Sequence, residues 1–425
     1  MEEKFNHINR VKGELFLPGD KSISHRAVIF SAMAKGKTLI KNLSESEDVK
    51  STISCLQNLG AEFTFDRNRV EVDGTGYLGF SKPTQPLYAG NSGTTTRLLT
   101  GLLSAQKFDS VITGDDSLSS RPMNRITTPL RMMGAYITDN DGKLPLQISN
   151  VKHLNSIAYQ LPVASAQLKS CLLIAGLHCD EETCLIEDIP TRNHTELLLG
   201  LSSTKKAGAT YIYSSKRNYP VSGEYIIPSD ISTAAFFIVL TLLSKDSELI
   251  LKNVSLNETR TGILKVLRAM GGNIEIISEN TSNNEKYGDL RISSSKLVNV
   301  PLEASIIPNI IDEIPILAVA GLFAEGVFKI RNALELRMKE SDRIKSVCSN
   351  FRQLGLQVEE FNDGFIIGGS AKNKKVIFES FGDHRIAMAF SIFSLLLEEG
   401  GKINNFECVK ISNPNFISQL KSICR

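Results

Sequence analysis

The sequence predicts a two-domain α/β protein in which each domain repeats one unit three times and buries a helix inside each unit. Three observations predict it. Six times along the 425 residues, a polar cluster precedes an apolar run rich in small residues. A strand-like stretch usually follows the run, as in "KTLIKNL", "SELILKNV" and "GVFKIRNA". In five units an amphipathic segment then ends at a glycine.

The six runs are "GDKSISHRAVIFSAMAKG", "GNSGTTTRLLTGLLSAQ", "VASAQLKSCLLIAGLHCD", "IPSDISTAAFFIVLTLLSKD", "IPNIIDEIPILAVAGLFAEG" and "FGDHRIAMAFSIFSLLLEEG". Each is apolar on nearly every side, which places a helix in a domain interior. The amphipathic segments carry one apolar stripe and stop at Gly60, Gly134, Gly208, Gly271 and Gly355, residues suited to a left-handed C-cap. Their spacing of roughly 60 to 85 residues is too long for a solenoid and suits a small α/β unit. Residues 5–17, "FNHINRVKGELFL", are strand-like, have no unit of their own and are expected to complete the sixth. The domains are therefore expected at 18–227, a substrate-binding domain of three units, and at 228–425 plus 1–17. The chain would cross between them near Pro18–Gly19 and near Ile227–Ser229. Polar clusters ahead of buried helices suggest a cleft lined by helix N-termini, whose free N–H groups favour anions.

Composition narrows the function. The net charge is +2, so no broad field points to nucleic acid or a membrane surface. Seven scattered cysteines read as reduced thiols rather than a disulfide frame. "HCDEETC" at 178–184 offers too few ligands for a zinc site. The N-terminus shows no apolar or Arg-rich leader, and no stretch reaches the roughly 18 apolar residues of a membrane span. A soluble, cytoplasmic protein is expected. "GTGYLG" at 74–79 matches a dinucleotide fingerprint, but Pro83 and Pro86 forbid the helix that must follow. "AKGKT" at 34–38 lacks the leading glycine of a P-loop, because Ser31 stands there.

Charged residues gather at the starts of the repeats. Ser22 and Arg26 lie four apart, as do Gly93 and Arg97, and Lys21 stands at the first helix's entrance. Asn91, Ser92 and Thr94 add side-chain donors. In "ELRMKESDRI", Lys339 and Arg343 are again expected on one helical face, with Glu340 beside them. Like charges so placed repel by roughly 0.2–0.5 kcal/mol unless an anion sits between them. Arg121, Arg192 and Arg385 add cations beside small or polar neighbours. Repeats put equivalent residues at equivalent places, so these charges should converge on ligands bearing phosphate and carboxylate. Asp312, amid Ile and Pro at a helix start, reads as an N-cap or as a proton-transfer group, and Glu340 pairs with it in the second reading.

These segments, "PGDKSISHRA", "GNSGTTTRLL", "SSRPM", "SAQLKSCLLIAGL", "TRNHTE", "IIDEIPILA", "RMKESDRI" and "GDHRIAM", resemble the EPSP synthase family, the 3-phosphoshikimate 1-carboxyvinyltransferases. They run from Pro18 to Met388, and the "SAQ", "TRNHTE" and "IDE" forms resemble its bacterial class II branch. The resemblance implies an inside-out α/β barrel repeated twice. It implies transfer of the enolpyruvyl group of phosphoenolpyruvate to the 5-hydroxyl of shikimate 3-phosphate, in a monomer that needs no metal or other cofactor. It also implies that glyphosate competes with phosphoenolpyruvate near Gly93.

By the same resemblance, Lys21, Ser22, Arg26, Ser165, Ala166, Gln167, Arg192 and Lys339 contact shikimate 3-phosphate. Lys21, Asn91, Gly93, Arg121, Gln167, Arg343 and Arg385 contact phosphoenolpyruvate. Asp312 accepts a proton and touches shikimate 3-phosphate, Glu340 donates one, and Lys21 joins them in catalysis. Three positions depart from the family: Ala166 replaces a second serine, Glu335 stands where some relatives have asparagine, and Lys410 is a poor match for a late lysine. The other enolpyruvyl transferase of this fold, acting on UDP-N-acetylglucosamine, is expected to show a reactive loop cysteine and "KN" where this chain has "KS".

Overall fold

A computed structural model describes residues 2–369 and 375–425. The chain folds as two units. The N-terminal unit is Gly19–Ile227 with Thr281–Glu285; the C-terminal unit is Met1–Pro18, Pro228–Asn280 and Lys286–Arg425. Each has its own hydrophobic core.

Three helices fill the centre of each unit: Lys21–Met33, Gly93–Leu103 and Ala166–Gly176 in the first, and Ile231–Leu243, Ile314–Phe323 and His384–Leu396 in the second. The polar clusters explain why they start where they do. Asp20, Ser92, Ser165, Asp230 and Asp383 each accept a hydrogen bond from a backbone N–H of the first turn. The Ile314–Phe323 helix instead opens with Pro315, whose ring is preset for the first turn. Burial then holds the helices in place. In Ile231–Leu243 every residue through Leu242 is buried, and each large apolar side chain there contributes about 1.5–3 kcal/mol. Two of the central helices touch backbone to backbone at Gly101, where a Cβ would lie 2.2 Å from the Cys171 carbonyl oxygen. Only glycine permits that approach.

Among the described residues six sheets surround these helices, and their register repeats. In three of them the strand before a central helix pairs in parallel with the strand after it: Leu87–Tyr88 with Ser110–Thr113, Ala158–Gln160 with Thr183–Glu187, and Ile377–Glu379 with Gly401–Asn404. A single parallel bridge, Val298 to Glu325, does the same around Ile314–Phe323. Where the chain changes unit, this edge strand stays behind. Lys12–Phe16 precedes the first helix but pairs with Glu248–Ser255, and Glu224–Ile226 precedes the fourth but pairs with Lys35–Lys41.

That exchange corrects the expectation for residues 5–17. Only Glu3–Phe5 joins the sixth sheet, beside Gly401–Asn404, whereas Lys12–Phe16 completes the fourth. The third amphipathic helix also differs. It spans His194–Leu199 and ends at left-handed Gly200; "STKK" at 203–206 is a strand, and Gly208 turns it back onto Ala209–Ser214. The sixth unit gains an outer helix at Phe416–Ile423 that packs on Lys12–Phe16. Among the described residues no single helix is long and apolar enough to cross a membrane.

Candidate active site

In the N-terminal unit the three central helices are tied together at their N-terminal ends by a closed circuit of polar side chains. Arg26 of the first helix donates from Nη2 to Ser170 Oγ of the third at 2.6 Å. On the third helix, Gln167 donates to Thr94 Oγ1 of the second at 2.9 Å and accepts from Arg97 Nη1. The second helix returns to the first through Thr95, whose hydroxyl is 2.6 Å from Thr52 Oγ1, itself 2.7 Å from His25 Nδ1. Burial, then the charges of Lys21 and Arg26, hold the His25 imidazole well below its ordinary value, so it serves this circuit as a neutral ring.

The cations here rest mostly on neutral groups. Arg26, only 3% exposed, donates from Nε to Thr195 Oγ1 at 2.7 Å and from Nη1 to the Ser22 carbonyl at 2.8 Å. Burial pulls it down to about 10, against the support of Glu196, Asp20 and Glu285. Arg121 donates to Asn91 Oδ1 at 2.6 Å and to Ser117 Oγ at 3.2 Å, and Asn91 is fixed in turn by Asp115 at 2.7 Å. Lys21 is paired instead with a carboxylate, Asp48, at 2.8 Å. Gly93 opens the second helix between two guanidiniums: a Cβ there would lie 2.7 Å from Arg97 Nη1 and 3.6 Å from Arg121 Nη1. Behind Arg26, fully buried Lys169 is clamped by Glu196 at 2.7 Å and Glu187 at 3.0 Å. Half-buried Arg192 lies near enough to weigh on the charge of Arg26.

The C-terminal unit assembles its cluster from carboxylates. Arg343, 1% exposed, is the hub. Its Nη1 donates to Asp312 Oδ1 at 3.1 Å, its Nη2 to Glu340 Oε2 at 2.6 Å, and its Nε to Asp383 Oδ2 at 2.8 Å. Burial opposes its charge, but Asp383, Glu340 and Asp312 hold the guanidinium above its ordinary value. Asp383 does double duty, because its other oxygen caps the His384–Leu396 helix through the Arg385 N–H at 2.8 Å. Arg385 lies 3.9 Å from the carboxylates of both Asp312 and Glu313 and donates to the Asp312 carbonyl at 3.3 Å. Glu313 then accepts from Ser232 of the fourth helix, which also receives buried Arg260 at 2.7 Å.

The predicted residues fall into these two clusters, with changes of detail. Lys339 and Arg343 share no helical face: the helix begins at Arg343, and Lys339 is extended backbone before it. They still converge, because Asp312 lies 3.6 Å from Lys339 Nζ and sits between the two charges as the required anion. Asp312 is no N-cap; it occupies the turn before Ile314–Phe323, where Glu313 is the cap residue. Ser165 caps its own helix and is 5% exposed, while Ala166 and Gln167 are half-buried beside it. Ser22 is half-buried and gives its carbonyl to Arg26. Lys410 is exposed in the turn Phe406–Ile411.

Sequence reasoning missed Asp48, Thr195, Ser170, Arg260 and Asp383 as members of these clusters. Arg97 had a signal, the four-residue spacing from Gly93. Asp383 stands in "GDHRIAM", where the sequence singles out only Arg385. The cysteines offer no activated thiol among the described residues: burial pushes Cys55, Cys171 and Cys348 up to about 12, and Cys408 and Cys424 up to about 11.

Known proteins share this chain's sequence and architecture. The sequence profile of EPSP synthase (3-phosphoshikimate 1-carboxyvinyltransferase) matches residues 5–420. The 3-phosphoshikimate 1-carboxyvinyltransferase of Thermoanaerobacter sp. (strain X514) is 45% identical over 409 residues, covering 96% of each chain. The solved EPSP synthase of Acinetobacter baumannii superimposes with a TM-score of 0.87 at 37% identity, over 100% of this chain and 98% of that one. The enolpyruvyl transferase NikO from Streptomyces tendae shares the fold at a TM-score of 0.76, with 15% identity over 99% of this chain and 97% of its own. With a profile match over nearly its whole length and a relative this similar end to end, the chain belongs to the EPSP synthase (3-phosphoshikimate 1-carboxyvinyltransferase) family.

Proposed function

We propose that the two clusters divide one reaction, the N-terminal cations holding anionic groups of the substrates and the C-terminal acids moving protons. The chain transfers the enolpyruvyl group of phosphoenolpyruvate to the 5-hydroxyl of shikimate 3-phosphate and releases phosphate, a step toward chorismate and the aromatic amino acids. The 5-hydroxyl oxygen bonds to C2 of phosphoenolpyruvate while a proton adds to C3. Loss of a proton from C3 then expels phosphate.

In this reading Ser22, Arg26, Ser165, Ala166, Gln167 and Arg192 hold shikimate 3-phosphate, with Lys339 a further contact. Asn91, Gly93 and Arg121, with Gln167, Arg343 and Arg385, hold phosphoenolpyruvate, and Lys21 touches both substrates. Arginine's planar fork meets phosphate and carboxylate in bidentate fashion, so cations resting on hydroxyls and an amide suit such ligands. Asp312 takes the hydroxyl proton and Glu340 delivers one to C3.

The observation that carries the reading is Arg343, which holds Asp312 on one terminal nitrogen and Glu340 on the other. One rigid fork thereby sets two acids side by side, as a reaction needing a base and an acid requires. The reading extends to a cytoplasmic monomer that acts on small molecules, and the small net charge supports leaving out nucleic acid and membrane as partners. Phosphate release from phosphoenolpyruvate is the test: it should require shikimate 3-phosphate. Release that proceeds with UDP-N-acetylglucosamine instead would overturn it.

A further inference from the structure

We propose that Glu285 is a positioning residue for shikimate 3-phosphate, acting through His194 and Thr195 on Arg26; this rests on the binding role given to Arg26 above. Glu285 stands 91 positions along the chain from its partner. It belongs to the short segment Thr281–Glu285, which groups with the N-terminal unit although the strand it begins, Glu285–Ser293, continues in a sheet of the C-terminal unit. Its Oε1 lies 2.6 Å from His194 Nδ1, and the two residues are 1% and 0% exposed. A carboxylate so deeply buried is costly unless donors meet it. A proton on Nδ1 meets it here and fixes which way the ring faces.

The orientation of His194 reaches Arg26 in one step. His194 is the first residue of the helix His194–Leu199, and Thr195 follows it. The Thr195 hydroxyl accepts from Arg26 Nε at 2.7 Å and donates to Ser170 Oγ at 2.8 Å, while Ser170 also accepts from Arg26 Nη2. Thr195 Oγ1, Ser170 Oγ and the Ser22 carbonyl oxygen thus fix the guanidinium plane, and the first depends on where this short helix starts. The same tip grips the helix a second time, because Asn284 Nδ2 donates to the Leu197 carbonyl at 3.0 Å. Asn283 and Asn284 take positive φ values of 49° and 62°, the conformation of a tight hairpin turn that asparagine tolerates. They deliver Glu285 to His194. The carboxylate has a second use, since its field helps sustain the buried charge of Arg26. An amide at 285 would keep the shape and lose that support.

The test uses the full-length enzyme and four variants: Glu285→Gln, Thr195→Val, their combination, and Arg26→Gln as reference. Glu285→Gln should raise KM for shikimate 3-phosphate about 5- to 10-fold, with KM for phosphoenolpyruvate and kcat within about 2-fold. Thr195→Val should do the same, and the double variant should add less than about 2-fold, because both changes act through one contact. Calorimetric titration with shikimate 3-phosphate alone should repeat the loss without turnover. A lowered Tm with unchanged KM, equal rises in both KM values, or additive losses would each overturn the proposal, leaving Glu285 a structural tether. If Arg26→Gln weakens shikimate 3-phosphate and Glu285→Gln does not, the positioning role alone fails. If neither does, the binding role of Arg26 fails and takes this inference with it.

Discussion

Both units use guanidiniums where their central helices meet, but the N-terminal unit sets them against hydroxyls and an amide, whereas the C-terminal unit sets them against carboxylates. Both bury arginine, by opposite means. Arg26 donates to Thr195, Ser170 and a backbone carbonyl, and burial draws it down to about 10. Arg343 is equally buried, yet three carboxylates hold its charge above the ordinary value. Neutral acceptors orient a guanidinium without cancelling its charge, so it still attracts an anion. Carboxylates cancel the charge and bring proton acceptors with them. In the proposed function the N-terminal repeats only hold anions, whereas the C-terminal ones set acids for proton transfer beside arginines that also hold phosphoenolpyruvate.

The contrast breaks most sharply at the acids. Asp312→Asn and Glu340→Gln should each lower kcat by about 10²-fold or more, with KM values changed much less. Steady-state kinetics on both variants check this. Near-normal turnover in either would remove that residue from the chemistry and leave its carboxylate as a counter-ion for Arg343.

Asp383 should behave differently from these two, because it is 0% exposed and serves Arg343 and a helix cap together. Asp383→Asn keeps a capping oxygen and removes the charge, so the expected loss is about 2–4 kcal/mol of stability. Despite the cost of burial, Arg343 holds the Asp383 carboxyl below its ordinary value of 3.8. A depressed folded-state value means that the contribution is present above pH 3.8 and is lost as pH falls through the lower, folded-state value. The stability gap between native and variant chains should therefore be full near neutrality and shrink below about pH 4. Denaturant melts at several pH values read it; a gap that persists into acid would show that the loss does not come from the charge.

The N-terminal half of the comparison is sharpened by Arg26→Lys. Lysine keeps the charge but cannot reach Thr195, Ser170 and the Ser22 carbonyl in one plane. KM for shikimate 3-phosphate should rise about 10-fold or more while kcat moves less. If charge alone sufficed, the variant would match the native chain, and the hydroxyl circuit would be only structural.

How much of this was legible in the sequence depends on whether a feature is local. The repeats were, because a polar cap followed by an all-round apolar helix is written in consecutive residues. The destination of Lys12–Phe16 was not: its partner Glu248–Ser255 lies more than 200 residues away, and pairing register across that distance leaves no local mark. Lys21, Arg26, Arg121, Asp312 and Arg343 stood out as charges against apolar or small neighbours. Asp48 did not, since "SESEDVKS" offers three acids and only packing selects the one that meets Lys21. Thr195 and Ser170 look like any helix hydroxyl. Asp383 was missed because its role is not local: one carboxylate oxygen caps its own helix and the other meets Arg343, 40 positions away.

The smallest expected effect comes from one methyl group at Gly93. The residue opens the second central helix, and the proposed site places phosphoenolpyruvate against its backbone N–H groups. Glyphosate is slightly longer than phosphoenolpyruvate, so an added methyl should meet it first. The nearest atom to that methyl is the tip of a flexible side chain, Arg97 Nη1 at 2.7 Å, so the helix can accept it by a small swing of Arg97. Gly93→Ala should therefore raise the inhibition constant of glyphosate by about 10-fold or more, while KM for phosphoenolpyruvate rises only about 2- to 5-fold. Because Arg97 donates to Gln167, KM for shikimate 3-phosphate provides a third reading. If it stays put, the swing is absorbed and the discrimination is one of ligand length. If all three constants rise together, the methyl acts by displacing Arg97 and Gln167, and the N-terminal cluster is more rigid than its neutral hydroxyl circuit requires.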